Sequence, residues 1–305
     1  IYNGTPPGEI AVLYRAHYHS MELQMELTRR RLPFEVRSGL RFFEQAHIKD
    51  IVSYLKVLVN PQDEAAWKRI LQLMPGIGIK TSQKIFSRIQ AASDPVEACI
   101  DEQMQALVPK GARPYWGGMR DTLSGLAQTG IEVSPAALIK TTLESGYRDL
   151  MRSKYMDADS RIDDVEQFLS FAYQYDSLAD FLSELALMTS TETEEVQAGG
   201  AGQETVKLTT IHQAKGLEWS AVFLICLVEG RFPNPNNFTS LEDEEEERRL
   251  FYVAVTRGKD RLYLCSPKRQ KESTGYMSVL KPSRFLRELP DFCYRQTETE
   301  EYYDY

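Results

Sequence analysis

Two changes of texture along the chain constrain it more than any single motif. Residues Glu9–Arg15 (EIAVLYR) read as a short strand, apolar and β-branched in character. A helix follows Tyr18-His19-Ser20, with Ser20 as its N-cap and Leu23 and Leu27 on one face. Leu32-Pro33 ends it, Phe34–Arg37 reads as a second strand, and Phe43–Val59 carries Ile48, Ile51, Val52, Leu55 and Leu58 at helical spacing. From Asp63 to about Thr189 the pattern is helical alone: Ala65–Met74, Ile79–Ile89, Pro95–Leu107, Pro135–Met151, Ile162–Tyr175 and Leu178–Met188, with Pro-Gly, Gly-Ala-Arg-Pro and Ser-Gly turns between. After Ala198-Gly-Gly-Ala-Gly202, a flexible joint in composition, strands return at Thr205–Ile211, Ala221–Val228 and Arg261–Ser266, with a helix over Glu242–Val255. Strands alternating with helices imply a mostly parallel sheet. The expectation is therefore one α/β domain interrupted by an all-helical insertion, with crossings near Asn60 and Ser190.

A chain of 305 residues has room for two such domains. No apolar stretch approaches the roughly 20 residues of a membrane-spanning helix, and the N-terminus carries no signal-peptide pattern. It begins close to a first strand, as a piece of a longer protein would. Cys99, Cys226, Cys265 and Cys293 have no zinc spacing, and Cys226 and Cys265 fall in apolar runs where cysteine is a small core residue. This usage fits a reducing, cytoplasmic setting. The net charge of −8 argues against coating nucleic acid by bulk charge, but much of the acid is concentrated in runs such as Glu192–Glu195 and Glu242–Glu247. Nucleic-acid binding must therefore rest on particular residues.

Four stretches could carry chemistry. In Thr209–Glu218 (TTIHQAKGLE) one apolar strand ends at a polar loop and a second follows. Ligands of open α/β sheets bind where strands end, so Thr210, His212 and Lys215 could meet phosphate, with Gly216 allowing close backbone approach. A well-capped turn explains the same residues. In Glu244–Arg257 (EEEERRLFYVAVTR) the pairs Glu244–Arg248 and Glu245–Arg249 have helix-stabilising i,i+4 spacing. Arg257 stands near the helix end, where it could complement the helix dipole or project towards a phosphate. Tyr14-Arg15 could stack on a base and pair with phosphate, or be a core tyrosine beside a surface arginine. Met74–Thr81 (MPGIGIKT) places Gly76 and Gly78 before Lys80 and Thr81, resembling a helix–hairpin–helix grip on duplex DNA; the alternative is a simple helix–helix turn. No GxxxxGK[ST] loop occurs, and no strand ends in an Asp-Glu pair for magnesium.

Taken in order, AVLYRAHYHSMELQMEL, SGLRFFEQAHIKDIVSYLKVLVNPQDEAAWKRIL, LTTIHQAKGLEWSAVFLICLVEGRFP and EEEERRLFYVAVTRGKDRLYL resemble the later motifs of superfamily 1 helicases of the UvrD/PcrA/Rep family. Trp219 and Gly258 stand where the family often has phenylalanine and alanine. The resemblance implies a second RecA-like domain, of the P-loop NTPase type but with no P-loop of its own, over 1–60 and 191–305, with a helical subdomain inserted at 61–190. It implies ATP with Mg2+ in a cleft shared with an N-terminal RecA-like domain that brings the phosphate loop and the metal site. By position, Tyr14 would stack on adenine, Arg15 and Arg257 would reach the γ-phosphate as arginine fingers, and Glu218 would contact the sugar. Thr210, His212 and Arg41 would touch single-stranded DNA, and Gly76, Gly78, Lys80 and Thr81 the duplex ahead of a fork. The implied activity is 3′ to 5′ unwinding by the parent enzyme, with this chain inert alone. Two other readings compete: a subunit of a recombination helicase–nuclease, for which no cluster of acids plus lysine follows the last motif, and a DNA-binding or interaction module with no ATP role.

Overall fold

The computed structural model describes residues 4–37, 42–186, 204–234, 240–271 and 277–298. Arg41, the Gly-rich joint and the acidic run Glu192–Glu195 lie outside them. The chain divides into two compact units, one formed by 1–20, 32–38 and 204–305 and the other by 21–31 and 39–203.

The first unit is built on a five-stranded sheet in the order β2-β3-β1-β4-β5. Its strands are β1 (Ile10–Tyr14), β2 (Phe34–Val36), β3 (Val206–Thr210), β4 (Trp219–Leu224) and β5 (Gly258–Leu264). Every neighbouring pair is parallel, and Leu13 lies beside both Thr209 and Leu224. β1 is buried at all five positions, as a central parallel strand covered on both faces must be. Helix α11 (Leu241–Val255) connects β4 to β5 and contributes Leu250, Phe251 and Ala254 to a core with Leu13, Val222, Leu224 and Phe285. Phe232, Phe251 and Phe285 meet there at ring separations of 5.4–6.2 Å. Helix α12 (Arg284–Arg287) carries Phe285, and the antiparallel hairpin β6 (Arg269–Lys271) and β7 (Met277–Val279) was not foreseen. The α/β class with a parallel sheet holds.

The second unit is helical: α1 (Met21–Arg29), α2 (Ala46–Val59), α3 (Glu64–Gln72), α4 (Ile79–Gln90), α5 (Pro95–Ile100), α6 (Arg113–Thr129), α7 (Pro135–Thr142), α8 (Arg148–Lys154), α9 (Ala158–Ala172) and α10 (178–186). Its boundaries differ from the texture reading, which left α1 and α2 with the sheet. The reason is burial: α2 hides Ile48, Ile51, Tyr54, Leu55 and Val57, and its Asp50 accepts from Arg69 Nε on α3 at 2.6 Å and from the Tyr147 hydroxyl at 2.9 Å. Burial raises the Asp50 pKa, and Arg69 and Tyr147 oppose that rise. His47, also on α2, donates from Nε2 to Asp164 at 3.2 Å while Nδ1 accepts from Arg161, which fixes its tautomer.

Helix α6 is absent from the periodicity reading, because Gly117, Gly118 and Gly125 weaken its helical signature. Gly125, with Gly146 opposite α6, serves close contact, whereas a Cβ on Gly117 would meet nothing within 4 Å. A Cβ on Gly146, in the π-turn Leu143–Tyr147, would lie 2.4 Å from the Gly118 carbonyl oxygen, and one on Gly125 would lie 2.8 Å from Ser145 Oγ. That π-turn also splits the expected helix Pro135–Met151 into α7 and α8.

Candidate nucleotide and DNA contact site

The β3–β4 connection, 211–218, carries the first cluster of interest. β3 ends at Thr210, whose carbonyl accepts from Gln213 N and Ala214 N, and Ile211 and Ala214 turn inward as anchors. Gly216 has φ +84°, a conformation that costs other residues strain, and it sends the chain back to the start of β4. His212, Lys215 and Glu218 are left exposed. Thr210 is not; at 8% exposure its side chain offers little surface to a partner.

Arg257, at the end of α11, closes this connection. Its NH1 donates to Leu217 O at 3.0 Å, Nε to Val253 O at 2.9 Å and NH2 to Thr256 Oγ1 at 2.9 Å. Its carbonyl accepts from Trp219 N at 3.0 Å. Arg257 thus grips the residues on either side of Glu218, and the two expected nucleotide contacts stand together. The guanidinium is half-buried and satisfies the helix end as well, so reaching an external phosphate requires exchanging some of these bonds.

Arg15 lies at the opposite end of the sheet, just past β1. Its Nε donates to Glu247 Oε1 at 2.6 Å across 232 residues of sequence. The Glu247 side chain is only 6% exposed, and among the described residues its Oε2 has no hydrogen-bond partner. Arg15 also faces His212: burial and then the Arg15 charge lower the imidazole pKa, while Glu247 and Glu246 oppose them. His19 stands in the same neighbourhood. Its Nδ1 accepts from Ala16 N at 3.5 Å, its buried Nε2 has no partner among the described residues, and its pKa falls to about 3 through burial, then the charges of Arg231 and Arg15. Cys226 Sγ lies 3.9 Å from both His19 O and Arg231 NH1. Cys226 and Cys265 therefore sit just past β4 and β5, half-buried, rather than inside strands.

The structure thus brings Arg15 to His212, and Arg257 to Glu218, as two neighbourhoods. Following the register, the Arg15 and Arg257 backbones are separated along the strands by on the order of 20 Å. Tyr14 is wholly buried, its ring 6.3 Å from that of His17, and shows no open face for stacking. Glu247 and His19 were not singled out from sequence. The only signal available was an acid run that reads equally well as helix charge pairing. Of the two expected pairs, Glu244–Arg248 is present at 3.8 Å, with Arg248 also bonding Glu245 and Glu288, whereas Arg249 pairs with Glu246 at 2.9 Å in place of Glu245.

In the helical unit, Gly76 (φ +84°) and Gly78 form the turn between α3 and α4, and a Cβ at either would meet nothing within 4 Å. Ile77 between them is buried, so the turn presents backbone while one side chain anchors it. Lys80 is exposed and Thr81 half-exposed in the first turn of α4, which has no side-chain cap.

Arg257 beside the exposed Glu218 sets a cation next to a hydrogen-bond acceptor, a pair of groups of the kind that phosphate and sugar hydroxyls respectively can meet. Among the described residues, no group of three or more His, Cys, Asp or Glu side chains is arranged to hold a metal. Nor is any described helix long and apolar enough to cross a membrane.

The UvrD-like helicase C-terminal domain matches residues 3–109 and 136–269. The chain is 33% identical over 308 residues to DNA helicase II of Escherichia coli K12, covering 95% of this chain and 41% of that protein. It is 30% identical over 293 residues to ATP-dependent DNA helicase PcrA of Bacillus subtilis 168, covering 93% and 40%. It is 31% identical over 312 residues to ATP-dependent DNA helicase UvrD1 of Mycobacterium tuberculosis CDC 1551, covering 92% and 39%. The chain therefore spans about 40% of the length of these relatives. With its parallel sheet, the Arg257 clamp on the β3–β4 connection and a family match over most of its length, this chain belongs to the UvrD-like helicase C-terminal domain family.

Proposed function

We propose that the chain is the C-terminal part of an ATP-dependent 3′ to 5′ DNA helicase, contributing arginine fingers and single-strand contacts to a site shared with a first RecA-like domain. The sheet unit is the second RecA-like domain, and the helical insertion grips the duplex. The parent acts in the cytoplasm on single-stranded and forked DNA. The observation that supports this best is the Arg257 clamp, which ties the end of α11 to the backbone on both sides of exposed Glu218. A cation there can leave carbonyl oxygens for phosphate oxygens when a second domain closes, and charge-assisted bonds to phosphate are the stronger ones.

Bound between the domains, ATP supplies the phosphoryl bond whose hydrolysis drives the cycle, with Mg2+ held by the first domain. Arg257 neutralises charge on the transferring group, and Arg15 joins it only after movement that releases it from Glu247 and closes the distance between the two neighbourhoods. Glu218 orients the sugar. Tyr14 takes part in base stacking only after movement that uncovers its ring. His212, and Thr210 once its side chain is uncovered, touch the single strand's phosphates, with Arg41 their companion; this grip is sequence-tolerant, as translocation requires.

In the parent enzyme, Arg257→Ala should lower DNA-stimulated ATP turnover by ~10³-fold or more with DNA affinity nearly unchanged, since arginine fingers are worth ~10³–10⁵ in rate. The chain alone should show no turnover and should gain it on mixing with the first domain. Normal turnover by the Arg257→Ala enzyme, or turnover by the chain alone, overturns this reading.

A further inference from the structure

Two helix N-termini and four cations converge on one face of the helical unit. Lys80, Thr81 and Lys84 come from the start of α4, and Lys110 and Arg113 from the turn entering α6; together they line an open cleft of about 520 Å³ floored by 106–109. Among the described residues no carboxylate lines it, and Lys80, Lys84 and Lys110 have no ion pair, as is also true of Lys49, Lys56 and Lys140 elsewhere in the unit; what sets the cleft apart is that its cations are clustered. Lys80 and Lys84 are also one helical turn apart, a like-charge spacing that costs a few tenths of a kcal/mol in an isolated helix. An unbalanced cluster of this kind is stabilised by an anionic partner.

Backbone geometry points the same way. Neither α4 nor α6 has a side-chain N-cap, while Asp63, Asp94 and Ser134 cap α3, α5 and α7. The first N–H groups of α4 have no acceptor within the helix, and a helix start of this kind favours phosphate; at α6, Pro114 carries no N–H and Tyr115 N donates to Ala112 O at 3.0 Å, so that end contributes its cations. Among the described residues lining the cleft there is no aromatic side chain. Stacking on bases is the usual grip on a single strand, so a lining of cations, one hydroxyl and aliphatic carbon suits the phosphates of a paired helix instead. The far wall, Lys110 and Arg113, begins the stretch 110–135 that the family match skips.

We propose that this cleft is a second phosphate-binding element for duplex DNA, in which Lys84, Lys110 and Arg113 take backbone phosphates next to the one held at Gly76–Thr81. It rests on the DNA-gripping reading of the helical unit only in sharing Lys80 and Thr81.

The test is fluorescence anisotropy of a labelled blunt duplex and of one of its strands, titrated with the 305-residue chain from 50 to 200 mM salt. Each phosphate contact contributes about 0.9 to the slope of log K against log salt, equivalent to roughly tenfold in affinity at 0.1 M. Lys84→Ala with Lys110→Ala changes two exposed side chains with no ion pair among the described residues, and should lower the duplex slope by about 2 with little change on the single strand. Arg113→Gln should lower it by about 1 more, and circular dichroism should report an unchanged helix content. If Lys80→Ala weakens duplex binding but the Lys84, Lys110 and Arg113 variants do not, the hairpin reading stands and this inference falls. If none does, both fall. Equal losses on duplex and single strand overturn the assignment to duplex.

Discussion

His19 holds its ring 7% exposed beside Arg15 and Arg231, and burial with those two charges lowers its pKa from 6.5 to about 3. The unfolded chain protonates this residue first as pH falls, so the unfolded state binds more protons between those values. The stabilising contribution is therefore complete above pH 6.5 and shrinks as pH drops towards 3. By linkage it is smaller by about 2 kcal/mol at pH 5 than at pH 7.5. His19→Gln should remove that part of the acid sensitivity, measured as urea midpoints at the two pH values; identical pH dependence in both proteins would discredit the pocket. At this scale the sequence singled out Tyr14, Arg15, His212 and Arg257 as candidates, because each sits at or beside the end of a strand or helix that apolar pattern reveals, and Glu218 entered through the family resemblance. It could not show that Glu247 receives Arg15, since 232 residues separate them and only the fold closes that distance. Nor could it show that Tyr14 and Thr210 are covered, because the last residue of a strand can lie under its neighbours or open at the sheet end.

At the level of elements, the contact between α6 and the π-turn depends on absent side chains. Gly146→Ala would drive a methyl group to 2.4 Å from the Gly118 carbonyl oxygen. Backbone on one side and a helix on the other leave little room to relax, so the helical unit should lose about 3 kcal/mol, the upper part of the range for overpacking. Trp67 and Trp116, both buried in that unit, would report the change as an earlier fluorescence transition; an unmoved transition would show that the turn is loosely packed. Legibility at this scale followed the strength of apolar periodicity. α2, α4 and α9 and the strands β1, β3 and β4 were visible to within a few residues, since each carries a buried stripe or run. α6 was hidden because its glycines, Gly125 among them serving close approach, count as a fault in propensity. The β6–β7 hairpin is only three residues a side and leaves Met277 and Val279 exposed, so no apolar pattern announced it.

Over the whole molecule, two compact units with separate cores should not unfold as one. Phe285→Ala removes a ring buried among Phe232 and Phe251 and should destabilise the sheet unit by ~3–5 kcal/mol. Trp219 fluorescence, read in a chain with Trp67 and Trp116 replaced by Phe, should register that loss, whereas the helical unit's transition, read from Trp67 and Trp116 in a chain with Trp219 replaced by Phe, should stay in place; a common shift of both would contradict the division. The alternation of textures made two units legible, but not their seams, since α1 and α2 carry the same amphipathic pattern whichever core receives their apolar face. The strand order has one more consequence. β3 lies between β1 and β2, yet the 169 residues from 37 to 205 separate it from β2 in sequence. As the chain leaves a ribosome, the first two strands emerge with no partner for each other. The helices that follow can complete their own core at once, and only then does the strand arrive that joins the first two. Synthesis thus sets the order of assembly: the insertion matures before the domain into which it is inserted, and the apolar IAVLY strand waits for it.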